Sequence, residues 1–492
     1  MTSLPISCNS KQITMGSKDD QNLKMLFFPI MAQGHMLPMV DMAKVFALRG
    51  AAVTVVTIPG SATLIRPTID LFNSTASSPI HLRLISFPSA AELSGNISSL
   101  PPLVQLLVFA RDAALLSEPF DHVLKEIHPD CVISDIFLPW TNDVAAENGI
   151  PRISFIGSNF FALCAGDSIE RHRVLESLPP KEETFVIPSL PHRIEMLRSQ
   201  VRDPSKQNPS MTPFMEVIKR AKMVDSKDYG MLVNSFYELE PDYVEHYRKV
   251  LGKKAWHVGP VSLCNQEGSD KLIRGGGSKG GEECLKWLDG RKPGSVVYVC
   301  FGSAGDFTTA QLREMAVGLE ASGSPFVWVV RNAGEEWIPE GYKQRIEGRG
   351  LIIEGWVPQL LILNHVAVGS FVTHCGWNSS LEGIAAGLPM GTWPLYAEQF
   401  LNERLLVDVL KIGVEVGSKV HDFASEERPV VEAGSLETAV KRLMGEGEEA
   451  EGRRRRVREL KEMGRKAVEE GGSSYNDVGN LMRELMERKA RV

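Results

Sequence analysis

The sequence has few cysteines for its length, and their spacing suggests no pairing. Seven cysteines are scattered through 492 residues, and no Cys-x-x-Cys motif occurs. An odd, scattered set does not form a disulfide framework, so the pattern favours a reducing compartment. Cys131 and Cys300 lie in apolar stretches, where a thiol behaves as a small core residue.

Long apolar runs are also missing. The chain has no stretch of roughly 18 or more apolar residues, so no membrane-spanning helix is predicted. Residues 1–22 are polar and lack the apolar segment of a secretory signal. We expect this N-terminal segment to be disordered and the protein to be soluble and cytosolic.

The chain has no excess of positive charge. It carries 54 Lys and Arg residues against 61 Asp and Glu residues, a net charge of −7. This balance argues against a nucleic-acid partner bound through a basic surface. The one basic run, Arg453–Arg456, is followed by mixed charges in a helical pattern and is interpreted as a solvated helix face.

What the sequence does contain is a regular alternation of apolar strands and helices. A helix is predicted over Met36–Arg49, ending at Gly50. Strands joined by helices indicate a parallel sheet covered on both faces. The strands predicted in the first half are Lys24–Ile30, Val53–Ile58, Leu82–Phe87, Cys131–Ser134 and Arg152–Ile156.

The alternation stops after Pro260 and restarts at Glu282. Between them, Asn265–Gly281 is rich in Gly and Ser without apolar periodicity, which is typical of a flexible linker. The later strands are Val296–Phe301, Pro325–Arg331, Leu351–Glu354, Val368–Thr373, Met390–Trp393 and Val414–Val416. We therefore predict an α/β protein with two doubly wound parallel-sheet domains and a ligand crevice at the carboxyl ends of their strands. The predicted parts are residues 1–22, a first domain over 23–260, a linker over 261–281, a second domain over 282–472 and a last helix over 473–492.

The segment Trp356–Gln399 contains a strand, a sharp turn and a helix start. The strand Val368–Thr373 ends at His374, and Trp377, Asn378 and Ser379 then open a helix. Backbone N–H groups at a helix start are unpaired and carry partial positive charge. This turn is therefore a suitable seat for a pyrophosphate.

Other residues of this segment fit the rest of a nucleotide sugar. Glu382 lies one helical turn beyond Ser379, where its carboxylate can accept two ribose hydroxyls. Trp356 offers a flat ring on which a base can stack, although a core tryptophan is the alternative. Glu398 and Gln399 follow the next strand and could bind sugar hydroxyls. Together they predict a nucleotide-sugar site.

The same segment, 44 residues long, resembles the signature box of the plant secondary-product UDP-glycosyltransferases. That family has two Rossmann-like domains facing a central cleft, the GT-B fold. The resemblance extends to FFPIMAQGHMLPMVDMAK, SDIFLPW, NSFYELE and YVCFGS elsewhere in the chain. It implies that the first domain binds the acceptor, that the second binds the UDP-sugar, and that the last helix packs back on the first domain.

The resemblance also implies roles for individual residues around the donor. His374 is expected to contact a phosphate oxygen together with the helix start, in place of a metal ion. A metal site at His374 is the rival interpretation, but no second ligand occurs at zinc-like spacing. Trp377 and Gln399 accompany the use of UDP-glucose. The full set of expected donor-binding residues is Ser303, Trp356, Val357, Gln359, His374, Trp377, Asn378, Ser379, Glu382, Glu398 and Gln399.

His35 and Asp135 are the candidate catalytic pair. His35 follows the first predicted strand, and an imidazole with a pKa of about 6.5 can accept a proton from a hydroxyl. On position alone, a capping or core histidine is equally plausible. Asp135 ends another strand of the same domain and could orient the imidazole, or simply cap the next helix. The resemblance implies a base and its orienting carboxylate.

For the acceptor, the sequence is less specific. We expect a pocket built by loops of the first domain, including the apolar run Leu103–Phe109. Tyr396 stands where the family usually has Phe. It adds a hydroxyl near the expected acceptor, so this departure bears on acceptor preference. The residues expected to face the acceptor are Phe137, Ser158, Phe160, Phe161 and Tyr396.

The implied activity is the transfer of glucose from UDP-glucose, with inversion, to a hydroxyl of a lipophilic plant small molecule. Flavonoids and triterpenoid or steroidal aglycones are the expected acceptor classes. We expect no metal or cofactor, no macromolecular partner and a monomer. Two alternatives are a nucleotide-sugar-binding protein without transfer activity and a sugar-nucleotide epimerase on the same fold.

Overall fold

The computed structural model describes residues 22–88, 112–179, 183–202, 212–275, 280–302, 305–331 and 334–491. The strands of the described residues are β1 Lys24–Phe28, β2 Ala52–Thr57, β3 Ile80–Leu84, β4 Cys131–Asp135, β5 Arg152–Ile156, β6 Thr184–Val186, β7 Glu195–Leu197, β8 Gly230–Val233, β9 Ala255–His257, β10 Val296–Cys300, β11 Phe326–Val330, β12 Gly350–Glu354, β13 Val368–Thr373, β14 Met390–Thr392 and β15 Gly413–Glu415. The α-helices are α1 Gln33–Leu48, α2 Pro59–Asn73, α3 Ser117–Ile127, α4 Trp140–Glu147, α5 Phe160–Arg171, α6 Val174–Ser177, α7 Thr212–Asp225, α8 Pro241–Glu245, α9 Gly268–Ile273, α10 Gly281–Asp289, α11 Thr309–Ser322, α12 Tyr342–Arg345, α13 Gln359–Leu363, α14 Trp377–Ala386, α15 Gln399–Arg404, α16 Ala433–Met444, α17 Glu448–Val468 and α18 Ser473–Lys489.

Two parallel sheets organise the part of the chain that the structure describes. The first has seven strands in the order β3-β2-β1-β4-β5-β8-β9, and the second has six in the order β12-β11-β10-β13-β14-β15. All neighbours within both sheets are parallel. The predicted fold class, two doubly wound α/β units, is therefore confirmed.

Alternate residues of each central strand enter apolar cores on opposite faces of the sheet. In β1, Met25 and Phe27 pack with α1, whereas Leu26 and Phe28 pack with Phe120 of α3. Strands buried on both faces consist of nearly continuous apolar residues, and this is why their positions could be predicted. The central strand β1 lies between β2 and β4, and the central strand β10 lies between β11 and β13.

This strand order places a switch point in each sheet. In the first sheet it lies between β1 and β4, and in the second between β10 and β13. Ligands of open α/β sheets bind where the connections leave neighbouring strands in opposite directions. The carboxyl ends of these four strands lead directly to His35, Asp135, Gly302 and His374.

The segment between the two sheets differs from the expected flexible linker. Within Asn265–Gly281, the described residues include helix α9 and a buried arginine, Arg274. Lys44 Nζ donates to Asn265 Oδ1 at 3.0 Å, and Asn265 Nδ2 donates to Asp41 Oδ1 at 2.9 Å. The described part of this segment is packed because its polar side chains pair with buried charges of α1.

Apolar patterning did not predict several short strands. Strands β8 and β9 have four and three residues, and they extend the first sheet at its edge. The antiparallel hairpin of β6 and β7 was also not expected. Strands this short contain few alternating positions and are easily missed, although the equally short β14 and β15 were predicted.

The last helix, α18, packs on the first sheet. Val478, Leu481 and Leu485 share an apolar core with Trp256 of β9. At its start, Ser474 Oγ donates to the carbonyl oxygen of Gly259 at 2.6 Å. The chain therefore returns to the first sheet after completing the second. No helix in the described ranges combines the length and the apolar character needed to cross a bilayer.

Candidate active site

The His35–Asp135 pair lies at the carboxyl edge of the first sheet. His35 is in the first turn of α1, and Asp135 is the last residue of the neighbouring strand β4. His35 Nδ1 and Asp135 Oδ2 are 2.7 Å apart. Asp135 is buried, and its Oδ1 accepts from the Phe137 backbone N–H at 3.0 Å. Both carboxylate oxygens are thus held, and Nε2 of the imidazole remains available to a substrate.

The charges around His35 favour its protonated form. Burial lowers the pKa of His35, but the charge and hydrogen bond of Asp135 and the charge of Glu398 outweigh burial, so the pKa is raised above 6.5. Glu398 precedes α15 and therefore acts from the second sheet. Burial in turn raises the pKa of the Glu398 carboxyl. The side chain of His35 is 23% exposed, so a substrate can reach it.

The turn between β13 and α14 has the geometry expected of an anion seat. Cys375 has a φ of 63°, in the left-handed region that non-glycine residues rarely adopt. The turn reverses the chain so that the first N–H groups of the ten-residue helix α14 point out of the sheet edge. This is the arrangement that binds phosphate groups at helix starts.

His374 is enclosed by backbone in this turn. A Cβ placed on Gly302 would lie 2.7 Å from Cε1 of the His374 ring, so only glycine fits there. Burial and the nearby Arg331 lower the pKa of His374 to about 4. The imidazole is therefore neutral at neutral pH, and one ring N–H can donate to a phosphate oxygen.

Gln359, Ser379 and Glu382 form one hydrogen-bonded group on α13 and α14. Gln359 Nε2 donates to Ser379 Oγ at 3.2 Å and to Glu382 Oε2 at 2.8 Å. All three line one pocket of the second domain, which also borders the first turn of α1. Its other lining residues include Gln33, Gly34, Arg274, Gly302, Trp356, Val357 and Asn378.

Two hydrogen bonds join the start of α14 to the first sheet. Asn378 Nδ2 donates to the carbonyl oxygen of Gly34, the residue before His35. The indole N–H of Trp377 donates to the carbonyl oxygen of Asn234 at 2.7 Å, and the Trp377 ring is buried. The anion seat and the His35–Asp135 pair therefore face the same cleft.

Glu398 and Gln399 lie at the carboxyl end of β14. Gln399 Oε1 accepts from the backbone N–H groups of Leu395 at 2.9 Å and Tyr396 at 3.2 Å. The Gln399 side-chain carbonyl is thus used within the protein. Asn402 Nδ2 donates to Glu398 Oε1 at 3.4 Å.

Aromatic rings from both sheets lie beside His35. The Phe137 ring is 5.5 Å from His35 and 5.3 Å from Phe214, and Tyr396 stacks on Phe423 at 4.6 Å. Phe423 also packs against Phe214. Phe214 and Phe423 were not among the expected residues, because both are far in sequence from His35 and Asp135 and nothing in their local sequence points to the cleft. Ser158, two residues after the end of β5, is buried.

The expectation that Phe160 and Phe161 face the acceptor is wrong. Both are fully buried at the start of α5. Phe160 packs on Tyr247 at 5.5 Å and Phe161 on Tyr243 at 4.8 Å, in edge-on contacts. Their rings stabilise the packing of α5 against α8 and the turn that follows it.

Two expected features lie outside the described residues: Ser303 and the apolar run over 103–109. Among the residues that are described, no group of three or more His, Cys, Asp or Glu side chains is arranged to hold a metal ion. Each described cysteine is unpaired.

Comparison with known proteins agrees with this geometry. A family model described as UDP-glucoronosyl and UDP-glucosyl transferase matches residues 283–444. The chain is 48% identical to scopoletin glucosyltransferase of Nicotiana tabacum, covering 94% of this chain and 98% of that protein. It is 46% identical to UDP-glucose flavonoid 3-O-glucosyltransferase 7 of Fragaria ananassa, covering 96% and 98%.

A solved structure extends the similarity to three dimensions. The crystal structure of Glycyrrhiza uralensis UGT73P12, complexed with glycyrrhetinic acid 3-O-monoglucuronide, has a TM-score of 0.88 and 40% identity, covering 96% of this chain and 97% of that one. The structure of Phytolacca americana UGT2, complexed with UDP-2fluoro-glucose and pterostilbene, has a TM-score of 0.74 and 27% identity, covering 94% and 99%. With these similarities extending over nearly its whole length, the chain belongs to the UDP-glucoronosyl and UDP-glucosyl transferase family and is a UDP-glycosyltransferase of the plant secondary-product type with the GT-B fold.

Proposed function

We propose that this enzyme transfers glucose from UDP-glucose to a hydroxyl of a lipophilic plant small molecule, a flavonoid or a triterpenoid or steroidal aglycone, with inversion at the anomeric carbon. The observation that carries the proposal is the hydrogen bond from Asn378 to Gly34. It sets a helix start suited to a diphosphate beside an imidazole suited to act as a base. The aromatic rings of Phe137, Phe214 and Tyr396 suit a flat, apolar acceptor.

In the proposed reaction, His35 Nε2 accepts the proton of the acceptor hydroxyl while Nδ1–H donates to Asp135. Asp135 holds the imidazole in the required tautomer and stabilises the imidazolium that forms. The acceptor oxygen attacks the anomeric carbon on the face opposite the diphosphate. The bond from that carbon to the β-phosphate oxygen breaks, so an α-linked donor yields a β-glucoside and UDP.

The donor is held by the second sheet. We propose that Trp356, Val357 and Gln359 bind the uridine, and that Glu382 binds the ribose hydroxyls. Negative charge on the departing diphosphate is met by the start of α14 and by the N–H of His374, with Ser303 as a further contact. Glu398 and Gln399 hold the glucose hydroxyls. This arrangement supplies the positive potential from the protein, so we propose that no metal or cofactor takes part.

The pH dependence of the reaction should report on His35. The base must be neutral, so kcat/KM should fall as the pH drops through the raised pKa of His35, above 6.5. Asp135→Asn removes the negative charge that opposes burial, so the acidic limb should move to lower pH and the maximum rate should fall. Glu398→Gln should shift the limb in the same direction by less. These shifts are measured as pH–rate profiles. If the acidic limb stays at the same pH in Asp135→Asn, the group that titrates in the pH–rate profile is not His35.

The direct test of the proposed function is incubation with UDP-glucose and a mixed panel of flavonoids, triterpenoids, steroids and simple phenols, analysed by mass spectrometry. Transfer adds one hexose to an aglycone. UDP-glucose binding with no product from any acceptor would favour a binding protein, and a chemically altered donor with no glycoside would favour an epimerase. Either result would overturn the proposal.

We further propose that the enzyme works in the cytosol as a monomer. The unpaired thiols of the described cysteines suit a reducing compartment. Both walls of the cleft come from one chain, so a single copy is sufficient for the site. Light scattering that gives the mass of a dimer would contradict the monomeric state. A tagged protein retained in the secretory pathway would contradict the cytosolic location.

A further inference from the structure

A buried polar network connects the first sheet to the donor pocket through the segment between the two sheets. Arg274 is at its centre. Its Nε and Nη2 both lie 2.8 Å from Asp41 Oδ2, and its Nη1 lies 2.8 Å from Glu382 Oε1. Asp41 is 1% exposed, Arg274 9% and Glu382 5%. An arginine from the connecting segment thus bridges a carboxylate of α1 and a carboxylate of α14.

The charges in this network depend on one another. Buried carboxylates are costly unless they are paired and hydrogen-bonded. Burial lowers the pKa of Arg274, but the charges of Asp41 and Glu382 outweigh burial and raise it, so the guanidinium stays charged. Asp41 has a further partner in Asn265, which also accepts from the buried Lys44. Arg274 is the cation that pairs with the Glu382 carboxylate, at 2.8 Å.

The remaining hydrogen-bonding capacity of Glu382 matches a ribose. A carboxylate has about four acceptor positions, two on each oxygen. Arg274 occupies one position on Oε1, and Gln359 occupies one on Oε2. One position on each oxygen stays open, and a ribose offers two neighbouring hydroxyl donors. Arg274 and Gln359 therefore orient the carboxylate without using up the positions that a ribose needs.

The residue after Arg274 contacts the expected base platform. Gly275 has a φ of +87°, and a Cβ on it would lie 2.6 Å from Cζ2 of Trp356. The backbone of this turn therefore packs directly against the indole. One short turn of the connecting segment touches both the residue proposed to bind the ribose and the residue proposed to bind the base.

We propose that Arg274 is a positioning residue for the UDP donor: it holds Glu382 in the orientation that binds the ribose and anchors it to Asp41 on the first domain. Donor binding is thereby coupled to the seating of the second domain against the first. The proposal rests on the proposed function in one respect, the assignment of Glu382 to the ribose. A connecting segment that was expected to be a passive linker becomes part of the donor site.

The test compares the binding of UDP with that of 2′,3′-dideoxyuridine diphosphate by titration calorimetry. Wild type should bind UDP more tightly, because only UDP offers hydroxyls to Glu382. Arg274→Met keeps the side-chain bulk but removes the charge and the fork of donors. In this variant the preference for UDP over the dideoxy ligand should shrink by about tenfold, because the Glu382 carboxylate is no longer aligned with the ribose hydroxyls. Arg274→Lys should show a smaller loss, since an ammonium cannot contact Asp41 and Glu382 with the same fork geometry.

A matched control is Arg345→Met. Arg345 also contacts a carboxylate with two nitrogens, Glu320 at 2.6 and 3.0 Å, but at the surface and away from the pocket. It should leave both ligands' affinities unchanged. If Arg274→Met does not fold, as judged by circular dichroism and thermal unfolding, Arg274→Lys carries the comparison alone.

The outcomes separate the two claims. A preference for UDP that is unchanged in both Arg274 variants would make Arg274 a purely structural residue and overturn the inference. Tighter UDP binding in Arg274→Met would also overturn it, because Arg274 would then be an occupant that the donor has to displace. A wild-type enzyme that does not distinguish the two ligands would remove Glu382 from the ribose, so the proposed function would fail at that residue and the inference with it.

Discussion

Replacing His35 with alanine is expected to lower kcat by about 10²–10⁴-fold, the usual contribution of general base catalysis. The hydroxyl of the acceptor is a poor nucleophile until its proton is removed, and His35 is the imidazole that Asp135 orients at 2.7 Å. UDP binding should be unchanged, because the diphosphate seat belongs to the second sheet. Steady-state kinetics with saturating UDP-glucose, combined with calorimetry for UDP, measure both effects.

The chain offers a matched control for this variant. His365 also faces an aspartate, with Nε2 3.2 Å from Asp289 Oδ1, but that pair is remote from the cleft. His365→Ala should keep the wild-type kcat. If His35→Ala turned over within tenfold of wild type, the proton would have another acceptor and the proposed role of His35 would be wrong.

Replacing Glu382 with alanine is expected to raise the KM for UDP-glucose by about a hundredfold, with kcat at saturating donor close to wild type. Two ribose hydroxyls would each lose a hydrogen bond to a charged group, worth about 1.5 kcal/mol or more apiece, and each 1.4 kcal/mol is about tenfold in affinity. The ribose does not react, so its binding energy is lost equally from the ground state and the transition state. Initial rates over a range of donor concentrations give KM and kcat separately.

Glu320→Ala is the control for Glu382→Ala. Glu320 also pairs with an arginine, Arg345, in the second half of the chain, but at the surface. It should not change the donor KM. An unchanged donor KM in Glu382→Ala itself would remove this residue from the ribose and redirect attention to other oxygens of the pocket.

The parts of the fold that could be predicted are those with long, continuous apolar patterns. Strands such as β10 and β13 are buried on both faces, and their sequences VVYVC and VGSFVT stand out from the neighbouring turns. Once these strands are placed in parallel sheets, His374 and Asp135 must lie at carboxyl strand ends. Their position at the cleft edge therefore follows from strand patterning and the rule for doubly wound sheets.

Residues whose position depends on tertiary packing could not be found in this way. Two adjacent phenylalanines at a helix start, Phe160 and Phe161, look equally suited to a pocket and to a core, and the contacts with Tyr247 and Tyr243 decide for the core. Phe423 reaches the cleft only because the second sheet brings it against Phe214. No local pattern indicates a contact between segments so far apart in the sequence.

The connecting segment is the instructive case. Its Gly-rich, polar composition is typical of a loop, yet Arg274 is buried. One signal was available: Asp41 and Lys44 lie within the apolar run LPMVDMAKVFAL of α1, and buried charges need partners. That signal predicts that some polar segment must cover α1, but it does not say which one.

The most direct test of the shared cleft is a crystal structure of the enzyme with UDP-2-fluoro-glucose and an acceptor identified from the aglycone panel. We expect an acceptor hydroxyl about 2.6–3.2 Å from His35 Nε2, in line with the anomeric carbon and opposite a diphosphate seated at the start of α14. An acceptor hydroxyl out of reach of His35, or a diphosphate bound away from residues 374–379, would contradict it.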